Sequence, residues 1–324
     1  QRRAQQLAGE VAVPGGEAPL RIALERLRPP ARDPQAPPGD PLAQIDPLEL
    51  PAMDVTVHSF FIGAERFGRG RFRSRPTAAG AHFDQIDLDL RGLHLDGTLD
   101  WEGRDAQARS RYRGRLSGGD LAEVLPAWGF APSMSSRDFR VDVDGGWPGS
   151  PANGGLRHFD GSLSARARQG KLVEVEGGAS ALRVFGLLNF NALGRRLRLD
   201  FSDLFGKGLS YDNIRGQLAG SDGQLLTQQP LVLEGPSSRL ELDGKLDMPE
   251  DRIDAKLKVT LPLSNNLPLA ALLAGAPPVA GALFIVDRLI GDRLSRVASV
   301  DYRVEGSLLD PQISLTGKSS GAAR

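Results

Sequence analysis

The 324-residue chain contains no cysteine, which excludes a disulfide framework, a thiol nucleophile, an iron–sulfur cluster and a cysteine-based zinc site. Its formal charge is zero, with 40 Lys and Arg against 40 Asp and Glu. That balance gives no electrostatic footprint for a polyanion, so nucleic acid is not expected as a partner. Aromatic residues are scarce, at 6%. The four histidines, His58, His82, His94 and His158, share no metal-ligand spacing. The sequence has no G-x-S-x-G elbow, no Walker loop and no G-x-G-x-x-G opening a helix. Gly68 and Gly70 follow one strand-like stretch and precede another, which leaves no helix N-terminus for a phosphate. No enzymatic activity, metal or cofactor is expected from these residues.

Turn-formers and alternation dominate what is present. The 39 glycines and 23 prolines stay below the share of about 25–30% that marks low complexity. Leu93, Leu95, Gly97, Leu99 and Trp101 alternate with His94, Asp96, Thr98 and Asp100, the period of a strand with one buried face. The same split recurs at Phe139, Val141 and Val143, at Leu197, Leu199 and Phe201, at Leu240 and Leu242, at Ile253, Ala255, Leu257 and Val259, and at Tyr302 and Val304. Gly and Asp clusters separate the runs, as in a meander. Leu95-Asp96-Gly97 and Leu242-Asp243-Gly244 form a weak internal repeat.

The chain divides into an N-terminal strand with a Pro-rich loop or linker of a larger protein (1–52), a β-meander (53–148), a β region with helices near 179–193 and 264–297 (149–318) and a tail (319–324). A further short helix fits 120–128. Residues 261–286 carry no charge, which suits a membrane-touching hairpin, a plug, or a cap over a sheet edge. Three short helices cannot cover a dozen strands. The apolar face must close into a barrel, meet a second sheet, or curl around something that is not protein. Small inward residues such as Gly97, Ser110, Gly114 and Ala255 suit a hollow better than a packed sandwich, but composition leaves these choices open. On the polar face, Arg71, Arg73 and Arg75 and then Arg109, Arg111, Arg113 and Arg115 share one phase, with Asp87, Asp89, Asp96 and Asp100 between them. They read as cross-strand charge ladders.

A family likeness lies in Phe185 to Asn189, Ala192 to Leu197, Leu199 to Phe205, Gly208, Tyr211 to Ile214 and Gly216, and then in Leu267 to Ala270, Leu283 to Arg293, Tyr302 to Gly306 and Asp310-Pro311. These stretches resemble the C-terminal region of YhdP-type members of the AsmA-like family. One departure is Gly194, where proline is expected ahead of Arg195 and Arg196. The resemblance implies a mainly β fold, a long curled antiparallel sheet forming an apolar groove with a few short helices. It also implies a periplasmic conduit carrying phospholipid between inner and outer membranes. The full-length protein would be anchored in the inner membrane, and that anchor is absent from these residues. Its partners would be phospholipid acyl chains, the two membranes and unidentified envelope proteins. A 16-carbon acyl chain left in water costs on the order of 13 kcal/mol, so crossing an aqueous gap needs a continuous apolar track. Twelve strands would supply roughly 58 Å of it. The expected lining is Leu88, Leu90, Leu95, Leu99, Leu197, Leu199, Phe201, Leu240, Leu242, Leu257 and Val259. The alternative is a structural or assembly scaffold for outer-membrane biogenesis with a protein-filled β core.

Overall fold

A computed structural model describes residues 7–15, 18–29, 39–172, 209–236, 238–262, 284–290, 293–308 and 311–316. Among the described residues sixteen strands form one mixed sheet, following chain order from β1 (Leu7–Ala12) to β13 (Arg252–Pro262). Beyond β13 comes β15 (Arg293–Ser307), which pairs with both β14 (Phe284–Ile290) and β16 (Pro311–Leu315). The sheet is not closed. Antiparallel pairing prevails because the connections are short turns. Gly92, for example, takes φ +81° between β5 (Gly80–Leu90) and β6 (Leu93–Glu102), as a tight turn requires.

One pairing departs from the expected antiparallel meander. β2 (Leu20–Leu27) runs parallel to β3 (Met53–Ile62), with Leu20 opposite Met53 and Leu27 opposite Phe60. A parallel neighbour forces the connecting chain to return along the length of the strands. That connection is the Pro-rich segment, and its described part, 39–52, has a packing role that a linker would not have.

The residues fall into two compact units whose boundaries interleave along the chain. The first holds 1–119, 140–164 and 220–223, and the second holds 120–139, 165–219 and 224–324. In the first, β4 (Glu65–Pro76), β5, β6 and β7 (Arg109–Gly118) continue from β3. In the second, helix α1 (Leu121–Ala127) buries Leu121, Val124 and Leu125. Asp120 caps it, accepting from Ala122 N at 2.9 Å, and tolerates Pro126 in the last turn. β11 (Gln224–Glu234), β12 (Arg239–Asp247), β13 and β15 then bring Leu231, Leu242, Leu257 and Tyr302 into register across four strands.

The helix expected near 264–297 is corrected where it meets described residues, since 284–290 and 293–297 are strand. β14 and β15 pair from Ile290–Arg293 outward to Phe284–Ser299, so the hairpin satisfies their backbone groups locally. The rest of that stretch, and the helix expected at 179–193, lie outside the described residues.

The small inward residues are not hollows. A Cβ at Gly70 would lie 2.3 Å from Leu88 Cδ2, one at Gly114 would lie 2.4 Å from Tyr112 Oη, and one at Gly145 would lie 2.4 Å from the Phe159 ring. Large neighbouring side chains, from the same or the adjacent strand, lie over the glycines, so their smallness serves packing rather than openness.

Candidate functional site

The apolar face of β3 to β7 is built from cross-strand rows fixed by register. Met53, Ser74, Phe83, Leu99 and Tyr112 make one row. Ala81, Trp101 and Ser110 make a second, nearer the end of the strands. Towards the opposite end run Val57, Gly70, Leu88, Leu95 and Leu116, and then Phe60, Gly68, Leu90, Leu93 and Gly118. Period two puts all four rows on the same side.

One end of this face is covered. Leu99, Trp101 and Tyr112 form a buried cluster against which Leu42 and Leu50 of segment 39–52 pack. Ser74 is wholly buried and its Oγ donates to Pro51 O at 3.0 Å, while Pro47 is among the most deeply buried residues. Tyr112 Oη donates to Asp96 O at 2.6 Å. Burial pushes its phenol up to about 12, so it stays a neutral donor. The indole N–H of Trp101 has no acceptor, although the residue is only 3% exposed.

Asp40 latches the cover. Its carboxylate accepts from Ser150 N at 2.6 Å, from Ser150 Oγ and from Leu42 N at 2.9 Å. Ser150 is itself 1% exposed, and its carbonyl accepts from Trp147 Nε1 at 2.9 Å. Burial disfavours the Asp40 charge, but the three hydrogen bonds outweigh it and hold the carboxyl below its usual range. Arg104 and Asp46, 2.6 Å apart, tie the cover to the loop after β6.

Segment 39–52 packs on the Leu99, Trp101 and Tyr112 cluster, and among the described residues the other end has no such cover. Every residue of the Val57–Leu116 and Phe60–Gly118 rows is half-buried, as are Met53 and Phe83, whereas Ser74, Ala81, Leu99, Trp101, Ser110 and Tyr112 are buried; Leu95 and Leu116 sit at the junction, packed against the buried cluster. The outer face is a set of ion pairs. Arg69 meets Asp89, Arg71 meets Asp87, Arg73 meets Asp54, Arg75 meets Asp84, and Arg111 and Arg113 share Asp144. Hydrogen bonding from Arg111 holds the Asp144 carboxyl below its usual range. His94 lies 2.9 Å from Asp89 and His82 lies 2.6 Å from Asp100, so both join the ladder. Among the described residues no cluster of His, Asp and Glu could hold a metal ion.

The expected lining residues divide between these environments. Leu88, Leu90 and Leu95 lie on the uncovered rows, and Leu99, 9% exposed, belongs to the covered cluster. In the second unit, Leu240 pairs with Val259 and Leu242 with Leu257, and of these four only Leu242 is half-buried. Leu197, Leu199 and Phe201 lie outside the described residues. Sequence reasoning missed the cover and its Asp40 latch. The available signal was Leu42 and Leu50 set among prolines.

An unclosed, mainly β sheet with one charged face and one apolar face, buried at one end and half-buried at the other, is the architecture of the described residues. The chain belongs to the family described as YhdP protein, whose model matches residues 1–313. Over 228 residues it is 28% identical to the intermembrane phospholipid transporter YhdP of Escherichia coli (strain K12), covering 70% of this chain and 18% of that protein. The chain thus spans less than a fifth of that relative's length. No solved structure matches it. No described helix is long and apolar enough to cross a membrane.

Proposed function

We propose that the chain is part of a conduit that carries phospholipid between the inner and outer membranes of a cell envelope, with acyl chains resting on the uncovered apolar rows. The observation that carries this reading is the half-burial of Val57, Leu88, Leu90, Leu93, Leu95 and Leu116 in mid-sheet, where a packed protein layer would leave them buried. Acyl chains are the fitting occupant, because each CH₂ removed from water contributes roughly 0.8 kcal/mol without demanding a directional partner. A row of non-directional contacts repeated from strand to strand has no deep well to trap its cargo. The similarity to a phospholipid transporter supports the same substrate class. In this reading the protein carries out no bond chemistry, and its residues exclude water from the chains.

The test is mass spectrometry of the chain purified from cells without detergent. Phospholipid should co-purify, and Leu95→Asp should reduce its amount several-fold with the circular dichroism spectrum unchanged. A protein that carries no lipid in either form contradicts the proposal. A structural or assembly scaffold is the second reading. It draws on Leu240, Leu257 and Val259, which are 7%, 6% and 8% exposed as in a protein-filled core.

A further inference from the structure

The rim of the uncovered end carries an arginine cluster unlike the rest of the polar face. β3 and β4 join through the two-residue turn Gly63-Ala64, with Ile62 opposite Glu65 and Phe61 opposite Arg66. Across β3 from Arg66, the guanidinium carbons of Arg26 and Arg28 on and just beyond β2 lie 5.7 and 5.0 Å from the Phe61 ring centroid. One phenyl ring is therefore flanked by arginines from both neighbouring strands.

Elsewhere on the outer face Arg69, Arg71, Arg73 and Arg75 on β4 and Arg111, Arg113 and Arg115 on β7 each meet an aspartate. Among the described residues, Arg26, Arg28 and Arg66 meet no carboxylate. Arg66 donates to the His58 carbonyl at 3.2 Å, and Arg28 Nε is buried without an acceptor. The nearby acids are Glu25, which lies 3.9 Å from His58, and Glu65, which is paired with Arg91. Next to this positive surplus, Ile62 is 54% exposed at the hairpin tip. Phe60 and Phe67 meet edge to face with centroids 5.9 Å apart, and Arg91 lies over Phe67 at 5.1 Å. Phe60 also belongs to the half-buried row that runs to Leu90 and Leu93, with Leu27 of β2 opposite it on the other side.

Unpaired arginines beside aromatic rings and an exposed aliphatic tip suit a bilayer interface, where guanidinium groups meet phosphodiesters and rings sit at headgroup level. We propose that the rim formed by Arg26, Arg28, Phe61, Ile62 and Arg66 docks onto an anionic phospholipid bilayer surface. Docked there, the bilayer lies beside the Phe60–Leu93 row, at the ends of the strands that carry it. The proposal rests on the lipid-transport reading for the reason a bilayer is met, and vesicle binding is measured separately from acyl-chain occupancy.

The experiment is flotation of the 324-residue chain with vesicles of phosphatidylglycerol and phosphatidylcholine, or of phosphatidylcholine alone, at fixed ionic strength. Three variants are compared with the unaltered chain. One combines Arg26→Gln, Arg28→Gln and Arg66→Gln, a second is Ile62→Ser, and a control combines Arg109→Gln, Arg111→Gln and Arg113→Gln, an equal change in net charge on β7. Binding of a fluorescent fatty acid reports the apolar rows and confirms folding. The rim triple should lose affinity for the anionic vesicles on the order of a hundredfold, about fivefold per arginine. Ile62→Ser should lose a few-fold, and the β7 triple should lose at most a few-fold. Fatty-acid binding should persist in all of them. Equal loss in the two triples, no loss in the rim triple, or displacement from vesicles by inorganic phosphate but not by chloride at equal ionic strength would overturn the proposal. Vesicle binding without fatty-acid binding would leave the rim in place and remove the transport reading.

Discussion

Within β3 to β7 the same strands end in two different environments. Trp101, Ala81 and Ser110 are 3%, 1% and 1% exposed, whereas Leu88, Leu90 and Leu95 on the same side of the same sheet are half-buried. The alternation that creates the two ends is identical. Among the described residues, the difference comes from the return path of one parallel connection, which lays Leu42, Pro47 and Leu50 over one end and leaves the other half-buried. An apolar strand face is therefore an offer of surface, and the chain outside the strand decides whether protein takes it up.

The sharpest way to break this comparison is a truncation at each end. Trp101→Ala should cost about 3–5 kcal/mol in denaturant unfolding, as for a buried aromatic. Leu95→Ala, on the half-buried row, should cost less, about 1–2 kcal/mol, because part of its surface already faces outward. Equal costs would mean that the two ends are packed alike.

Raising the pH probes the covered regions of both units. Tyr112 and Tyr302, 5% and 1% exposed, have phenols pushed up to about 12 by burial. A folded-state value above the unfolded one means that their stabilisation is intact below about pH 10 and is lost as the pH rises towards about 12. Each should withdraw on the order of 2–3 kcal/mol over that window, seen as unfolding coincident with tyrosinate absorbance. Tyrosinate appearing near pH 10 with the fold intact would contradict the burial.

Asp40→Ala tests the latch. Losing a carboxylate that accepts three hydrogen bonds should cost about 1–3 kcal/mol and make segment 39–52 the first site of limited proteolysis. Because the folded Asp40 carboxyl is held low, its contribution is present above the usual carboxylate range and fades as the pH falls through the folded value. The acid sensitivity of cleavage should therefore vanish in the variant. The smallest effect belongs to the polar face. Arg71→Ala, which breaks the exposed 2.8 Å pair with Asp87, should change stability by about 0.2–1 kcal/mol, and less at high salt.

The strands and their inward phase were legible because period two is local and survives any arrangement of neighbours. Leu88, Leu95, Leu242 and Leu257 could each be assigned a face from the residues on either side. The ladder was legible in part: Arg69 meets Asp89 and Arg71 meets Asp87 across adjacent strands, but Arg111, Arg113 and Arg115 turn to Asp142 and Asp144 rather than to Asp96 and Asp100. The cover was not legible, because it depends on contacts between Leu42 and the Trp101 cluster and on a parallel pairing that no local pattern encodes. Glycines misled in the other direction. Gly114 suggested a hollow, yet Tyr112 extends over it. Residues 284–290 and 293–297 invited a helix because the apolar stretch before them is long, but they pair with each other as antiparallel strands.

Photocrosslinking in cells tests the central claim most directly. A benzophenone side chain is placed in turn at Leu88, Leu95, Trp101 and Asp96. If acyl chains occupy the uncovered rows, Leu88 and Leu95 will capture phospholipid, while Trp101 under its cover and Asp96 on the charged face will not. Equal capture at all four positions, or none at Leu88 and Leu95, would contradict it.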